Sequence, residues 1–279
     1  MAKRSKYVKP ENREFLHARV LGSKQISTHF VRVTIGGPDL HSYTSLGFDQ
    51  WFRLFLRTHE QSELRIPTAT SKLWYAQYLA MSKATRPVIR NYTVRSYRSA
   101  ETALHGDTPE IDIDFVCHGS ADGVAAGPAS TWAQSVSPGE EVALLDEGLI
   151  HNPLPDARNL LLVGDESALP AIAGILESSP DDARGHAFVE VPDADDIQEF
   201  RVPEGMTLTW LPRQDPHDRP GTLALDTVRA AEFDVPEYAF VAGEQALASG
   251  VRRLLVTERG MPKTEVAFTG FWRHGHAAG

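Results

Sequence analysis

NLLLVGDESALPAI, residues 159–172, joins a continuous apolar run to a glycine and then to a helical pattern. A continuous apolar run predicts a strand that is buried on both faces, as in a parallel sheet. Gly164 permits a tight turn, Ser167 is a candidate helix cap, and Pro170 falls in the first helical turn, where a missing amide costs little. The stretch therefore predicts a strand–turn–helix unit of an α/β fold.

The residues that follow this stretch repeat the same alternation. The buried-strand patterns HAFVEV, LTWLP, YAFVAGE and EVAFTGFW alternate with helical patterns such as DTVRAAEF and QALASGVRRLLVTERG. Continuous apolar strands separated by amphipathic helices indicate a parallel sheet that is covered on both faces. We therefore predict a doubly wound parallel-sheet domain over residues 153–279.

The residues that precede the linker HNPLPDAR have a different hydrophobic pattern. From Phe15 to about Leu145 the apolar runs are short and alternating, as in HFVRVTIGG, WFRLFLRT and IDIDFVCHG. Such runs, separated by Gly, Pro, Asp and Ser, are typical of a small antiparallel barrel or sandwich. We predict an antiparallel six-stranded-type β-barrel over residues 1–152.

One helical insert interrupts the predicted barrel. The run TSKLWYAQYLAMSKATR has apolar residues at helical spacing. Leu73, Tyr75, Tyr78 and Leu79 fall roughly on one face of this helix.

The composition excludes several classes of protein. The 279 residues carry a formal net charge of -9, which argues against general nucleic-acid binding because such binding needs a basic surface. An anionic ligand then requires a local basic patch. The single cysteine, Cys117, excludes an intrachain disulfide and a cysteine-ligated cluster. Without a secretory signal or an apolar run of membrane-spanning length, a cytoplasmic protein with no membrane insertion is expected.

Two strand ends of the predicted parallel sheet could face one crevice. Such sheets bind ligands at the carboxyl ends of their strands, where helix N-termini present free amides. Gly164 and Gly243 each follow a buried strand and precede a helix, without a G-x-G-x-x-G fingerprint. An ordinary turn is the alternative explanation for Gly164. Glu190, in HAFVEV, is either a ribose ligand or a solvated surface residue.

The stretch RNYTVRSY, residues 90–97, is unusual for a strand with one face in a core. Alternation places Arg90, Tyr92 and Val94 on one face and Thr93 and Arg95 on the other. Guanidinium groups suit phosphate oxygens, a tyrosine face suits a flat ring, and a threonine hydroxyl can bond a ring nitrogen. This strand is therefore a candidate site for a large anionic aromatic ligand.

A second candidate stretch is FVCHGSADGVAAGPASTWAQ. A strand ends at His118 and Gly119, and a helix opens later with Ser130 or Thr131 as its cap. Bare backbone amides at such a helix end could receive a pyrophosphate. The alternative is an ordinary capped helix whose Trp132 packs into the core.

Four motifs in this order resemble the siderophore-interacting protein family, which consists of flavin-dependent ferric-siderophore reductases within the ferredoxin reductase-like group. RNYTVR is similar to R-x-Y-T-x-R, DFVCHG and GPASTWA to H-G and G-P-A-S, GDESALPAI to G-D-E-T-A-L-P-A-I, and GFWRHG to G-Y-W-R-x-G. The resemblance covers nearly the whole chain. It implies an FAD-dependent enzyme that uses NADPH or NADH to reduce ferric-siderophore iron to Fe(II) in the cytoplasm.

The resemblance also implies roles for single residues. Tyr92 would stack on the isoalloxazine and Thr93 would lie near its reactive nitrogen, so these two are the candidate catalytic residues. The further FAD-binding candidates are Arg90, Val94, Arg95, His118, Gly119, Gly127, Ala129, Ser130, Thr131 and Trp132. The candidates for the nicotinamide dinucleotide site are Gly164, Asp165, Glu166, Ser167, Ala168, Glu190, Gly243 and Glu244. Trp272 would lie near the other face of the flavin.

Ferric siderophores are commonly anionic, so positive charge is expected at the mouth of the site. Arg53, Lys263 and Arg273 are the candidates, and each is also explained as a solvated surface cation. No protein metal ligand is expected, because His274 and His276 fit surface residues near the end of the sequence. The expected partner is a ferric siderophore, bound as a small-molecule substrate. The protein is expected to be a monomer.

Two other functions fit the same residues. A reductase on the same scaffold could pass electrons to a protein or to free flavin, and a non-catalytic protein could bind the iron chelate without turnover. The choice between NADH and NADPH stays open, because Glu190 favours the unphosphorylated ribose whereas Arg213 favours the phosphorylated one.

Overall fold

The computed structural model describes residues 4–58, 61–69, 73–117, 127–215 and 218–276. It contains a seven-stranded antiparallel sheet, followed along the chain by a five-stranded parallel sheet. The predicted fold class, an antiparallel barrel followed by a doubly wound parallel-sheet domain, is therefore confirmed.

The first sheet has the strand order β4-β3-β7-β1-β2-β6-β5. Its strands are β1 (Phe15–Ser27), β2 (Phe30–Gly36), β3 (Trp51–Leu56), β4 (Val88–Thr93), β5 (Ser96–Arg98), β6 (Glu110–Val116) and β7 (Glu141–Gly148). Two helices accompany them, α1 (Leu73–Ala80) and α2 (Pro128–Ser135).

The barrel closes where β4 runs into β5. These strands lie at opposite edges of the sheet, yet only Val94 and Arg95 separate them in sequence. The amide of Val94 donates to the Gln50 carbonyl at 2.8 Å, and the amide of Arg95 donates to the Asp112 carbonyl at 2.9 Å. The chain thus crosses from β3 to β6 at this point. The crossing divides one long strand into two, which explains seven strands in place of the expected six.

The helical insert is confirmed, but its buried face differs from the expected one. Trp74 is buried against the barrel and Tyr78 lies partly buried beside it, whereas Leu73, Tyr75 and Leu79 are more than half exposed. In a helix of 8 residues, one large side chain suffices to fill the contact with the barrel.

The second sheet has the order β10-β9-β8-β11-β12, with all neighbours parallel. Its strands are β8 (Asn159–Gly164), β9 (Arg184–Val191), β10 (Gly205–Pro212), β11 (Tyr238–Glu244) and β12 (Val266–Trp272). Its helices are α3 (Leu169–Ser178), α4 (Thr222–Ala230) and α5 (Gln245–Arg253). Leu160 and Leu162 of β8 pack with α3, whereas Leu161 and Val163 pack with α4 and α5. Both faces of the sheet are therefore covered, as a doubly wound fold requires.

Helix α3 packs directly against the barrel. A Cβ atom on Gly174 would lie 2.1 Å from the carbonyl oxygen of Phe48, so only glycine fits at this contact. A second link joins His29 of the barrel to Asp196 after β9, with 2.6 Å between Nδ1 and Oδ2. The turn that precedes α3 also contacts β6. The carboxyl end of β8 therefore meets the barrel.

Of the helices in the described ranges, none combines the length and the hydrophobicity that crossing a lipid bilayer requires.

Candidate cofactor site

Arg90 lies on β4, the edge strand of the barrel sheet. Its Nη1 donates to the adjacent Ile89 carbonyl at 2.7 Å. Across the ranges that the structure describes, no carboxylate forms an ion pair with this half-buried guanidinium. Its charge is therefore available to an anionic ligand.

Tyr92 faces the barrel interior. Its ring centroid lies 4.3 Å from that of Phe115, and both Tyr92 and Val94 pack in the barrel core, as the alternation predicts. Burial raises the pKa of the Tyr92 phenol, so this group stays protonated at neutral pH. Thr93, the next residue, is half-exposed and lies outside this cluster.

Arg95 forms an ion pair with a residue of the second half of the chain. Its Nη1 and Nη2 donate to the two carboxylate oxygens of Glu177 in α3 at 2.8 and 3.2 Å. Its Nε lies 4.0 Å from Asp114, and its side chain is only 9% exposed. The structure thus gives Arg95 a role in joining the two sheets, and its guanidinium is not free to bind phosphate as expected.

The first amides of helix α2 have no acceptor within the helix. Gly127 is the N-cap without a side-chain bond, and Pro128 has no amide. The first helical bond runs from the Thr131 amide to the Gly127 carbonyl at 3.0 Å, which leaves the amides of Ala129 and Ser130 without helical acceptors. Ser130 and Thr131 therefore lie inside the helix and do not cap it, unlike the expectation.

Trp132 is a core residue. It is 5% exposed, and its Nε1 donates to Glu140 at 2.7 Å. Its ring lies 5.6 Å from that of Phe115, which also contacts Tyr92. The expectations for His118 and Gly119 fall outside the described residues.

Asp165 lies at the carboxyl end of β8 and is fully buried. Its Oδ1 accepts from the Ser167 amide at 2.9 Å and from the Ser167 hydroxyl at 2.5 Å. Asp165 is therefore the cap of this turn, in place of the predicted Ser167. Burial and the charge of Glu166 raise the pKa of Asp165 to about 7.

Glu190 belongs to a buried ionic network. Arg213 donates to both carboxylate oxygens of Glu166 at 2.9 and 3.0 Å and to Glu190 at 2.9 Å. Glu190 also accepts from the amides of Gly221 and Ala224, both at 2.8 Å, at the start of α4. Glu190 is therefore neither an exposed ribose ligand nor a solvated residue, and Arg213 is not free to bind a ribose phosphate.

Gly243 and Glu244 form the end of β11. Gly243 has a φ of 120°, and a Cβ atom there would lie 2.6 Å from the Asp165 carboxylate. The Glu244 carboxylate caps α5 through the Ala246 amide and accepts from the His274 amide at 3.2 Å. Although burial opposes the effect, these hydrogen bonds lower the pKa of Glu244.

The three candidate substrate cations lie in different places. Arg53 is paired with Glu147 at 2.8 Å, and its guanidinium lies 5.2 Å from the centre of the Trp74 ring. Lys263 precedes β12, at the amino edge of the sheet, where it lines a cavity of about 350 Å³ with Arg252 and other residues of α5. Arg273 is exposed directly after β12, and only this candidate lies at the same edge as Asp165.

Not all the residues that form these hydrogen bonds and ion pairs were identified from the sequence. Glu177 is one that was not, since its partner Arg95 lies 82 residues away. A charged residue at the end of a long apolar run, as in HAFVEV, is the signal that could have indicated burial of Glu190.

Two family models match the chain: a siderophore-interacting FAD-binding domain over residues 19–149 and a siderophore-interacting protein model over residues 157–275. The chain belongs to the siderophore-interacting protein family. The ferric vibriobactin reductase ViuB of Vibrio cholerae is 30% identical over 258 residues, which are 90% of this chain and 87% of ViuB. A siderophore utilization protein from T. fusca has a TM-score of 0.77 and 29% identity, covering 97% and 96% of the two chains.

The ferredoxin reductase of carbazole 1,9a-dioxygenase shares the fold of this siderophore-interacting protein. Its TM-score is 0.62 at 15% identity, and the match covers 96% of this chain and 73% of that chain. The expected ferredoxin reductase-like fold is thereby confirmed.

The donor set of the barrel half fits the diphosphate of FAD. The guanidinium of Arg90 supplies positive charge, and the amides of Ala129 and Ser130 supply hydrogen-bond donors. Helix α2 packs against β4, which carries Arg90. Nothing in the described structure lies within 4 Å of a Cβ position on Gly127.

Proposed function

We propose that this siderophore-interacting protein is an NAD(P)H-dependent flavoprotein that reduces the iron of a ferric siderophore in the cytoplasm and so releases it. Residues 1–152 would hold FAD, and residues 153–279 would hold the nicotinamide nucleotide. The ferric reductase activity named for ViuB and the siderophore-interacting FAD-binding family model support this proposal.

One relationship supports the proposal: the groups that we propose to bind ligands, in the barrel and in the parallel sheet, lie near a common boundary. Arg90, which forms no ion pair within the described ranges, and the N-terminal amides of α2 lie on the barrel side. On the other side, the Asp165–Ala168 turn contacts β6, which carries Phe115 beneath Tyr92. A ligand on β4 and a ligand at the carboxyl edge of the sheet would therefore lie close together.

Bound FAD would supply the chemistry, since a flavin accepts a hydride and can donate electrons singly. Arg90 and the α2 amides would bind its diphosphate. Tyr92, held against Phe115 with its phenol protonated, would offer a neutral aromatic face, and the Thr93 hydroxyl would bond the polar edge of the ring.

The carboxyl edge of the parallel sheet would receive the nicotinamide nucleotide. The residues proposed to line it are Gly164, Ser167, Ala168, Gly243 and Glu244. Glu190 and Arg213 are buried, so their side chains favour neither NADH nor NADPH. Arg273, exposed at this edge, would attract the anionic chelate. Reduction releases iron because Fe(II), with its lower charge, is bound more weakly by the hard oxygen donors of a siderophore.

The test begins with the absorption spectrum of the purified protein, loaded with FAD if necessary. Under anaerobic conditions, NADH or NADPH should bleach the flavin absorption, and a ferric siderophore with ferrozine should restore it while the Fe(II)–ferrozine colour develops. The two nucleotides are compared at equal concentration to identify the donor.

Three outcomes separate the candidate functions. Fe(II) release that is faster than reduction of a soluble protein or free flavin supports the proposal. Faster reduction of the protein or free flavin shows an electron-transfer reductase on the same scaffold. A colourless protein that binds the ferric chelate, takes up no FAD and oxidises neither nucleotide shows a non-catalytic binding protein.

A further inference from the structure

The carboxylate of Asp165 joins the ends of three parallel strands. Asp165 follows β8, and its Oδ2 accepts from the Glu244 amide at the end of β11 at 2.6 Å and from Trp272 Nε1 at the end of β12 at 3.2 Å. Its Oδ1 accepts twice from Ser167. All four partners are donors, so the arrangement is complementary to an ionised carboxylate.

The backbone of β11 lies very close to this carboxylate. Gly243 has no side chain at the point where a Cβ atom would lie 2.6 Å from Asp165. The register of β11 and β12 slips after the Gly243–Gly270 pair, so that Phe271 is left out and the next pair contains Trp272. A β-bulge changes the direction in which a side chain points. Here the indole of Trp272, directly after the bulge, points towards Asp165.

We propose that Asp165 is the positioning residue for Trp272, holding the indole at the carboxyl edge of the parallel sheet. Asp165 is fully buried and acts through this hydrogen bond without contact to a ligand of its own. Only one part of this inference rests on the proposed function: the indole ring, held in this position, would face the bound flavin.

Within the described ranges, Asp165 has no cationic partner. Glu166 is paired with Arg213, and Glu244 lies 3.6 Å from Arg219. Burial, together with the charge of Glu166, raises the pKa of Asp165 to about 7. The neighbouring segments also carry charged or titratable side chains, among them Glu190, Arg273, His274, Arg95 and Asp114. Asp165 should therefore change its protonation state near neutral pH.

Protonation of Asp165 should loosen the indole. A proton on Oδ2 would oppose the N–H groups of Glu244 and Trp272, neither of which can act as an acceptor. A proton on Oδ1 could be accepted by the Ser167 hydroxyl, but the neutral acid is a weaker acceptor for the indole than the carboxylate. Trp272 is therefore held more tightly above the pKa of Asp165 than below it.

The test uses the protein without flavin and needs no enzymatic activity. Tryptophan emission and acrylamide quenching are measured from about pH 5 to about pH 9, and the Trp272 contribution is obtained by subtracting Trp272→Phe. We expect this difference signal to titrate near the pKa of Asp165, with stronger quenching on the acid side. In Asp165→Asn, which has nearly the same shape but no titrating carboxyl, the titration should be lost.

Ser167→Ala is the matched control, because it removes a donor to Oδ1 and leaves the bond to Trp272 Nε1 intact. The midpoint should shift in this variant and the amplitude should remain. The proposal is overturned if Asp165→Asn titrates like the parent protein, or if the parent difference signal is flat over this pH range. The second criterion needs only the parent and Trp272→Phe, so it holds even if Asp165→Asn fails to fold. Failure of the proposed reductase activity would leave this result unchanged.

Discussion

Arg95 of the barrel forms a bidentate ion pair with Glu177 of α3, in which Nη1 and Nη2 lie 2.8 and 3.2 Å from the two carboxylate oxygens. The arginine side chain is 9% exposed and that of the glutamate is 33% exposed. The pair therefore lies at the boundary between the two sheets and is only partly screened by water.

Glu177→Gln should lower the free energy of unfolding by about 1–2 kcal/mol, because it leaves a largely buried guanidinium without its full counter-charge. Urea unfolding followed by circular dichroism measures this change. Asp181→Asn, which removes the partner of Arg201 at a fully open surface, is the matched control and should be nearly neutral. Equal stability of Glu177→Gln and the parent would show that the ion pair does not stabilise the boundary.

Arg90→Ala should weaken FAD binding by about 10- to 100-fold, which is the expected loss for one charge-assisted interaction with a phosphate. Equilibrium titration of the apoprotein with FAD measures the dissociation constant. Arg19→Ala is the control, since Arg19 pairs with Glu141 on the exposed surface of the barrel. An unchanged FAD affinity in Arg90→Ala would contradict the assignment of this guanidinium to the diphosphate.

Gly243→Ala should destabilise the protein by about 2 kcal/mol or more, because its Cβ atom would meet the Asp165 carboxylate and its φ is positive. Gly139→Ala is the matched control: its φ is also positive, 91°, but nothing lies within 4 Å of its Cβ position. The difference in thermal unfolding between the variants then reports the steric contact. If both variants lost the same stability, the close approach of Asp165 to position 243 would add no steric cost.

Asp49→Asn should change the pH dependence of stability. Asp49 is buried and accepts from the amides of Ile150 and His151, and burial raises its pKa to about 7. Since the folded pKa is raised, this carboxyl stabilises the fold at low pH, and its contribution is lost as pH rises to 7. Relative to the parent, Asp49→Asn should gain stability of the order of 3 kcal/mol between about pH 4 and pH 8.

Urea unfolding of the parent and of Asp49→Asn at both pH values measures this difference. The comparison needs both pH values, because the amide group of Asn also faces a backbone donor and lowers stability at every pH. Asp226→Asn, which alters an exposed partner of Arg229, should show no such trend. A constant difference between Asp49→Asn and the parent would rule out a titration of Asp49 in this range.

The sequence predicted those features that depend on neighbours along the chain. The alternation placed Tyr92 and Val94 on the same face, where both pack in the barrel core, and Pro170 lies in the first turn of α3 as expected. The surroundings of Glu190 could not be predicted in this way. Its partners Arg213 and Ala224 lie 23 and 34 residues further along, and only the folded sheet brings them together.

The same limit applies to the two ends of the RNYTVR motif. Arg90 and Arg95 are the same residue type in one short stretch, so the sequence pattern alone predicts that both bind phosphate. The barrel crossing between β4 and β5 separates them, because it carries Arg95 towards α3 and leaves Arg90 on the edge strand. Residue type and spacing therefore gave both arginines the same expected role, whereas the topology gives them different hydrogen-bond partners.

The close contact between Gly174 and the Phe48 carbonyl restricts how halves of related proteins can be recombined. A chimera that joins this barrel to the parallel-sheet half of a relative needs glycine at the position equivalent to 174, because any side chain there would push α3 away from the barrel. The lack of a side chain at position 174 is thus one condition for exchanging the two halves.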